Sequence, residues 1–149
     1  MKPYEVLLHD NKHWAARKKA EDPAFFERLI VDLRLVMGYG ARRRDLAKRI
    51  GRSGDGGVDG IITQDELGLD VILLQAKRLK PGSTVSSSQV RDFIGTLETK
   101  KAGKGIFVTT AHFSMFALDA ARSASHRIRL INGSELSALM VRHNLGVKP

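Results

Sequence analysis

An aspartate, a glutamine and a lysine interrupt apolar or glycine-rich sequence between residues 51 and 80. Asp59 lies within GDGGVDGII, and Gln75 and Lys77 lie at the end of VILLQAK. Carboxylate, amide and backbone carbonyl oxygens are hard ligands that suit Mg²⁺, which makes Asp59, Gln75 and the carbonyl of Ala76 candidate ligands. An ammonium group beside such a metal can orient an attacking water and neutralise charge on a phosphate. These residue types therefore suit metal-assisted hydrolysis of a phosphodiester.

A β-hairpin is the element that must position these residues. Val58 and Ile61–Ile62 are typical of a short strand, residues 70–77 of a second strand, and residues 64–69 of the loop between them. The period of two puts Gln75 and Lys77 on one face with Val71 and Leu73. A turn near Leu67 predicts that Asp59 lies opposite Gln75, with Lys77 one step further along the same face.

Each of these residues also has a purely structural explanation. An aspartate among glycines is usually a turn residue, and a lysine after an apolar strand usually extends its charge into solvent. However, Gln75 and Lys77 both interrupt the face that Val71 and Leu73 would bury. A polar group on a buried face costs free energy unless it is paired. The combination therefore favours a site.

Three motifs of the chain resemble the catalytic domain of Mrr-type (type IV) restriction endonucleases, which belong to the PD-(D/E)XK nuclease superfamily. They are GDGGVDGII, LGLDVILLQAKR and GIFVTTAHFS, and the similarity extends from FFERLIVDLRLVMGYG to INGSELSALM. The resemblance implies that Asp59 is the hairpin aspartate and that Gln75–Ala76–Lys77 is the (D/E)-x-K element. Glutamine in place of the acid departs from the superfamily pattern, although Mrr-type members resemble this sequence in having it. A metal-dependent, restriction-type DNA endonuclease is the implied function.

The resemblance also implies two accessory site residues. Glu27, on the first helix, is the candidate for the acidic residue that assists the metal in many superfamily members. A solvated carboxylate paired with Arg28 or a neighbour is the alternative. Gln89 matches a glutamine that related nucleases often place just after the lysine strand, and a plain helix-start glutamine is the competing interpretation.

Mg²⁺ is the cofactor that these ligands imply, with Mn²⁺ as a substitute. Because Gln75 is uncharged, the site carries one negative charge fewer than the superfamily pattern, which favours one tightly bound metal over two. His9 and His13 share a helical face, but a zinc site there is disfavoured because no third ligand is nearby.

The charge of the chain points to a polyanionic partner. The formal net charge is +9, and a cluster of cations precedes the glycine-rich segment: Arg42, Arg43, Arg44, Lys48, Arg49 and Arg52. Only 6% of the residues are aromatic, and none alternate with the basic residues. Phosphate contacts along double-stranded DNA are therefore favoured over stacking on a single strand.

Composition and pattern indicate one α/β domain. The chain has 149 residues, 42% of them hydrophobic, which suffices for one core. It has no cysteine, no apolar run of membrane-spanning length and no signal peptide at MKPYEV, so a cytoplasmic setting without a membrane partner is expected. We expect residues 1–20 to form a polar, helical N-terminal segment anchored by Trp14, and residues 21–149 to form the catalytic domain.

Within that domain, strands alternate with helices after the hairpin. Asp22–Pro23 predicts the start of a helix. The later segments are predicted, in order, as a helix whose apolar stripe runs from Val90 to Leu97, a strand at 105–110, a helix at 113–124, a strand at 128–131 and a helix at 134–143. This pattern predicts a restriction-endonuclease-like mixed β-sheet flanked by helices on both faces.

Two other functions remain open. The amide at Gln75 leaves a non-cleaving DNA-binding module on a nuclease fold as the main rival, and a Holliday-junction-resolvase-like nuclease is the nearer alternative. Cutting both strands would suggest a homodimer. Mrr-type enzymes resemble two-part proteins, which implies a separate DNA-recognition domain or subunit as a partner.

Overall fold

The computed structural model describes residues 3–36, 51–52, 57–63, 67 and 69–145, with side chains over 12–33, 60, 67 and 69–145. The helices are α1 (Pro3–Ala20), α2 (Pro23–Val36), α3 (Ser87–Thr99), α4 (Met115–Ser123) and α5 (Gly133–Arg142). The strands are β1 (Gly51–Arg52), β2 (Gly57–Thr63), β3 (Val71–Lys77), β4 (Thr84–Val85), β5 (Lys104–Thr109), β6 (His112–Phe113) and β7 (Arg127–Ile131). Across these ranges, no helix is both long enough and apolar enough to cross a bilayer.

A mixed sheet forms the centre of the described structure. Its strand order is β1-β2-β3-β5-β7, with antiparallel pairing from β1 to β3 and parallel pairing from β3 to β7. Strands β4 and β6 form a separate parallel pair. The parallel connections run through α3 and α4, as parallel strands require a crossover. The predicted mixed sheet is therefore confirmed.

Helices cover both faces of this sheet. On the first face, Ile72, Leu74 and Ala76 are buried with apolar residues of α1, α2 and α5. On the second face, Leu73 is buried with residues of α3, β5 and α4. Successive residues of β3 therefore alternate between two cores, which is the predicted period of two. We call the side covered by α3 and α4 the second face.

Helix α2 begins as its sequence predicts. The Asp22 carboxylate accepts a hydrogen bond from the backbone N–H of Phe25 at 2.9 Å, and Pro23 is the first helical residue. Phe26, Leu29, Ile30 and Leu33 then form its buried stripe. The sequence also predicts that this helix ends at Gly38 or Gly40, and both glycines lie outside the described residues.

The contact of α1 with the core differs from the expectation. Residues Pro3–Ala20 form a helix, but Trp14, the expected apolar anchor, is 64% exposed. Ala16 and Ala20 are buried in the first core instead. Small side chains let α1 approach its neighbours closely, whereas the Trp14 ring lies outside, 5.4 Å from the Lys18 ammonium.

Three helices begin at one end of the sheet. We call it the carboxyl end, because β3, β5 and β7 end there at Lys77, Thr109 and Ile131. Ser86, Ser114 and Asn132 cap α3, α4 and α5 there by accepting hydrogen bonds from backbone N–H groups of the first turn. A close contact joins α5 to β5, because a Cβ on Gly133 would lie 2.3 Å from the carbonyl oxygen of Thr110.

The predicted helix at 113–124 begins later than expected, at Met115. Residues 112–113 instead pair with residues 84–85 as the β4–β6 ribbon. Two-residue strands show no period of two, so the hydrophobic pattern does not reveal them. Strands β5 and β7 and helix α5 lie within one residue of their predicted bounds, and α3 includes the whole predicted stripe from Val90 to Leu97.

Candidate active site

The β2–β3 ladder brings the predicted site positions together. Its register pairs Asp59 with Gln75, Val58 with Ala76, and Gly57 with Lys77. Partners in an antiparallel ladder lie on the same side of the sheet with their Cα atoms about 4.5–5.5 Å apart. Position 59 and Gln75 therefore share one face, as predicted. The partner of Lys77 is a glycine, so no side chain of β2 occupies the space opposite the lysine.

Gln75 and Lys77 lie where the second core ends. Leu73, two residues earlier on the same face, is only 4% exposed, whereas Gln75 and Lys77 are half-buried. Ala76 is fully buried on the first face. Its side chain is therefore directed away from the site, and only its backbone carbonyl remains a candidate ligand.

Strand β5 borders the site with an apolar wall and a hydroxyl. Phe107 is the parallel partner of Gln75, and Thr109 is the partner of Lys77. The Phe107 ring is buried and packs edge-on against Phe93 and Phe113, with ring centroids 5.3 and 5.6 Å away. The Thr109 side chain is fully buried, and its hydroxyl accepts a hydrogen bond from the N–H of Ala111 at 3.2 Å. Phe107 therefore forms an apolar boundary of the site beside Gln75. The next residue of β5 on the same face, Thr109, is polar.

Thr110 fixes the chain where it leaves β3. Its hydroxyl donates to the carbonyl of Leu79 and accepts from the N–H of Leu79, both at 2.9 Å. The segment that follows Lys77 is thus held against the end of β5. Sequence reasoning missed this role, because a threonine at a strand end carries no signal of a bond to a residue 31 positions away.

Gln89 lies in the first turn of α3, near the carboxyl end and on the second face. Its carboxamide oxygen accepts from the backbone N–H of Ser86 at 2.9 Å, while the Ser86 hydroxyl accepts from the N–H of Gln89 at 3.3 Å. This reciprocal pair is a capping box. The helix-start interpretation is thereby observed, and the accessory site role stays a prediction.

Glu27 is placed differently from the other predicted residues. It is a half-buried residue of α2, whose buried stripe packs on the first face, opposite to the face of Gln75 and Lys77. The start of α2 nevertheless lies near the carboxyl end, because the Arg78 guanidinium donates to the carbonyl of Glu21 at 3.3 Å. The structure therefore brings Glu27 to the same end of the sheet but not to the same face, and its role stays a prediction.

The donor set of the site fits a hard divalent cation. The ladder places a carboxylate-bearing residue opposite a carboxamide-bearing one, next to the Ala76 carbonyl. Over the side chains that the structure describes, no three His, Cys, Asp or Glu residues cluster as the ligands of a zinc site would. The side chains of Asp59 and His9 lie outside the described ranges.

Cationic residues follow the site strand directly. Arg78 is half-buried and Lys80 is exposed, both beyond the end of β3. Of the predicted basic cluster, residues 42–49 lie outside the described residues, and of Arg52 only the backbone, in β1, is described. A separate cavity of about 330 Å³ is lined by three cationic residues, Lys104, Arg127 and Arg129, together with Ile72, Gly105, Ile106 and Ile128. It lies at the amino ends of β5 and β7, away from Gln75 and Lys77.

Comparison with known protein families matches residues 18–140 to the Mrr_cat family, described as restriction endonuclease. The chain belongs to this restriction endonuclease family. The resemblance drawn from the glycine-rich hairpin and the Gln-Ala-Lys element is therefore confirmed. The matched range includes α2, the candidate site and most of α5.

A curated relative is similar to most of this restriction endonuclease domain. The type IV methyl-directed restriction enzyme EcoKMrr of Escherichia coli (strain K12) is 40% identical over 125 residues. The match covers 84% of this chain but only 40% of that relative. The chain therefore spans less than half the length of the relative.

Two solved structures show the same fold. The DNA modification-dependent restriction endonuclease AspBHI has a TM-score of 0.61 at 18% identity, with 91% of this chain and 35% of that chain covered. The MspJI restriction endonuclease in complex with a 27-mer oligonucleotide has a TM-score of 0.56 at 24% identity, with 94% and 31% covered. The predicted restriction-endonuclease-like architecture is confirmed.

Proposed function

We propose that this chain is the catalytic part of an endonuclease that hydrolyses phosphodiester bonds in double-stranded DNA with Mg²⁺, for which Mn²⁺ can substitute. The observation that carries the proposal is the ladder register, which pairs Asp59 with Gln75 and places Lys77 next on the same face. Residues distant in sequence are thereby brought to one end of a sheet by backbone hydrogen bonds.

Asp59, Gln75 and the Ala76 carbonyl would hold the metal in this proposal. A divalent cation there would polarise the scissile phosphate and make water more acidic. Asp59 would supply the charged ligand, and Gln75 a neutral one whose orientation is set by β3. Because only one of the three is charged, we expect one metal ion to bind tightly.

Lys77 would orient the attacking water and balance the charge that develops on the phosphate. Its strand neighbours support this role. Gly57 leaves space opposite it, and Thr109 occupies the next strand without competing for that space. The Thr110–Leu79 bonds fix the chain just beyond the lysine.

Glu27, in the second turn of α2, and Gln89, in the first turn of α3, would assist from two helices that begin near the carboxyl end. Glu27 would act from the side of the first face, and Gln89 from the second face. In the capping box, the Gln89 oxygen serves α3, so its contribution to the site would be to position the helix start beside Lys77.

Double-stranded DNA is the proposed substrate. The net charge of +9 favours a polyanion, and Arg78 and Lys80 extend positive charge beyond the site strand. Cutting both strands would require two sites, for which a homodimer is the simplest arrangement. A further recognition domain or subunit would select the DNA, since the E. coli relative is named methyl-directed.

A plasmid assay tests the proposal. Supercoiled plasmid, methylated and unmethylated, is incubated with the protein in Mg²⁺, in Mn²⁺ and in EDTA. We expect nicked or linear product with either metal and none in EDTA. Tight binding of duplex without product in either metal would instead support the rival function, a non-cleaving DNA-binding module, which the uncharged Gln75 favours. Preferential cutting of four-way junctions over plasmid would support a resolvase-like nuclease.

A further inference from the structure

Two large apolar side chains at the start of α4 face solvent. Met115 is 79% exposed and Phe116 is 76% exposed. Helix α4 packs into the second core through Phe113 before it and Ala117 within it, and the Ala117 N–H is capped by the Ser114 hydroxyl at 3.0 Å. Met115 and Phe116 therefore contribute little to the core, and folding alone does not require apolar residues there.

These two residues lie at the same end of the sheet, and on the same face, as the candidate active site. The β4–β6 ribbon ties the segment that follows Lys77 to the segment that precedes α4, because Thr84 pairs with His112 and Val85 with Phe113. The N–H of Ser114 donates to the Val85 carbonyl at 3.0 Å. The start of α4 is thereby fixed at the carboxyl end of the sheet, on the second face, where Gln75 and Lys77 also lie.

The loop that is held beside β6, just before α4, carries an exposed cation. Lys80 is exposed at the beginning of the loop that leads into the ribbon, and His112 is exposed within it. The His112 N–H donates to the Ser83 carbonyl at 3.3 Å, and the Ser83 N–H donates to the Lys80 carbonyl at 3.0 Å, which keeps this loop beside β6. Exposed apolar residues near a lysine, in a chain whose formal net charge is +9, match a duplex, which offers phosphates at its rim and apolar base faces inside.

We propose that Met115 and Phe116 form an apolar wedge that inserts between base pairs of the duplex held at the site and opens one base step beside the scissile phosphate. The inference rests on the proposed function. Apolar side chains that enter a base step partly unstack it and bend the duplex. The bend would bring the backbone towards Gln75 and Lys77, which lie deeper in the second face than the exposed tip of α4.

Fluorescence of 2-aminopurine tests the wedge. A short duplex carries the probe at each central position in turn, and binding is measured in EDTA so that no strand is cut. The variants are Phe116→Ala and the double change Met115→Ala with Phe116→Ala. The matched control is Trp14→Ala, which removes another exposed aromatic ring, on α1 at the first face. Thermal unfolding should be unchanged in all of them, because each side chain is largely exposed.

We expect the parent and Trp14→Ala to raise the probe fluorescence at one or two positions on binding. The double variant should lose most of that increase and bind roughly tenfold more weakly, on the scale of one stacking contact. An unchanged fluorescence increase in the double variant, or none at any position with the bound parent, overturns the wedge.

Two further readouts distinguish the wedge from a protein interface and from the nuclease activity itself. If light scattering shows that the parent is a dimer and the double variant a monomer with full unstacking, the apolar pair is a protein interface and the wedge is wrong. Plasmid cleavage by the parent in Mg²⁺ is scored independently. Cleavage without unstacking refutes the wedge alone, whereas unstacking that depends on Phe116 without cleavage supports the wedge and refutes the nuclease proposal.

Discussion

Gln75 lies directly opposite Asp59 across the antiparallel ladder of β2 and β3. The relationship is set by backbone hydrogen bonds in the middle of a sheet and not by a loop. Shifting the ladder by one residue would turn Gln75 towards the first face, where Leu74 and Ala76 are buried. The apolar residues of β3 therefore hold the two polar residues in register. A register shift would expose core residues, and the free energy lost by that exposure also maintains the site geometry.

The charge at position 75 should decide how the site holds its metal. Gln75→Glu adds a carboxylate, so we expect tighter Mg²⁺ binding and retained cleavage. Gln75→Leu, of similar size and without an oxygen ligand, should lower cleavage by roughly 10²-fold. Calorimetric titration of Mg²⁺ and plasmid cleavage check both variants. Two tightly bound ions in the parent, or full activity of the leucine variant, would contradict the assignment.

Gln89 can be separated into its two roles by a pair of substitutions. Gln89→Ala removes the bond to Ser86 and should lower the free energy of unfolding by about 1 kcal/mol. Gln89→Glu keeps the capping box and should leave stability unchanged. If Gln89 also lies beside the substrate, the added carboxylate should lower cleavage roughly tenfold through repulsion of the phosphate, at about 1.4 kcal/mol. If Gln89→Glu matches the parent in both stability and cleavage rate, Gln89 serves only to cap α3.

The contact between α5 and β5 should tolerate no side chain at Gly133. A Cβ there would lie 2.3 Å from the Thr110 carbonyl oxygen, and Thr110 in turn holds Leu79. Gly133→Ala should therefore lower stability by about 1–3 kcal/mol. The control is Gly95→Ala in α3, where a Cβ meets nothing within 4 Å. That change should raise stability by about 0.5–1 kcal/mol. Chemical denaturation measures both, and equal effects would contradict this packing of α5 on β5.

Duplex binding should weaken as the salt concentration rises, because cations near the site contact phosphates of the DNA. Each phosphate contact contributes about 0.9 to the slope of log affinity against log salt concentration. We expect Lys80→Ala to reduce the magnitude of that slope by about one contact. Lys100→Ala, which removes an exposed lysine at the far end of α3, should leave the slope unchanged. Identical slopes for Lys80→Ala and the parent would exclude Lys80 from the interface.

The sequence predicts the hairpin well because successive residues of β3 face opposite sides of the sheet and each side has its own apolar core. From Val71 to Ala76, apolar residues supply both cores, and this leaves one register in which Asp59 meets Gln75. The caps at Asp22 and Ser86 are equally local signals. Contacts between distant segments were not predictable, among them the β4–β6 ribbon and the Thr110–Leu79 bonds. Each involves one or two residues, which is too few for a periodic pattern.

The burial of Trp14 was predicted wrongly for a related reason. A tryptophan is the obvious anchor of a polar segment, yet Ala16 and Ala20 make the buried contact of α1. Small residues carry a weak hydrophobic signal, but they permit close packing of helices. Size alone therefore did not identify the buried face of α1.

The rate of Mg²⁺-dependent plasmid cleavage by Asp59→Ala and Lys77→Ala is the decisive test of the site. Lys104→Ala is the matched control, because Lys104 lies at the amino end of β5 and pairs with Asp70 at 3.2 Å. We predict that Asp59→Ala and Lys77→Ala each lower the rate by roughly 10²-fold or more while duplex binding stays near that of the parent. The control should cleave at the parent's rate. If both variants are folded, bind DNA and nick plasmid as fast as the parent, the site does not lie at Asp59, Gln75 and Lys77.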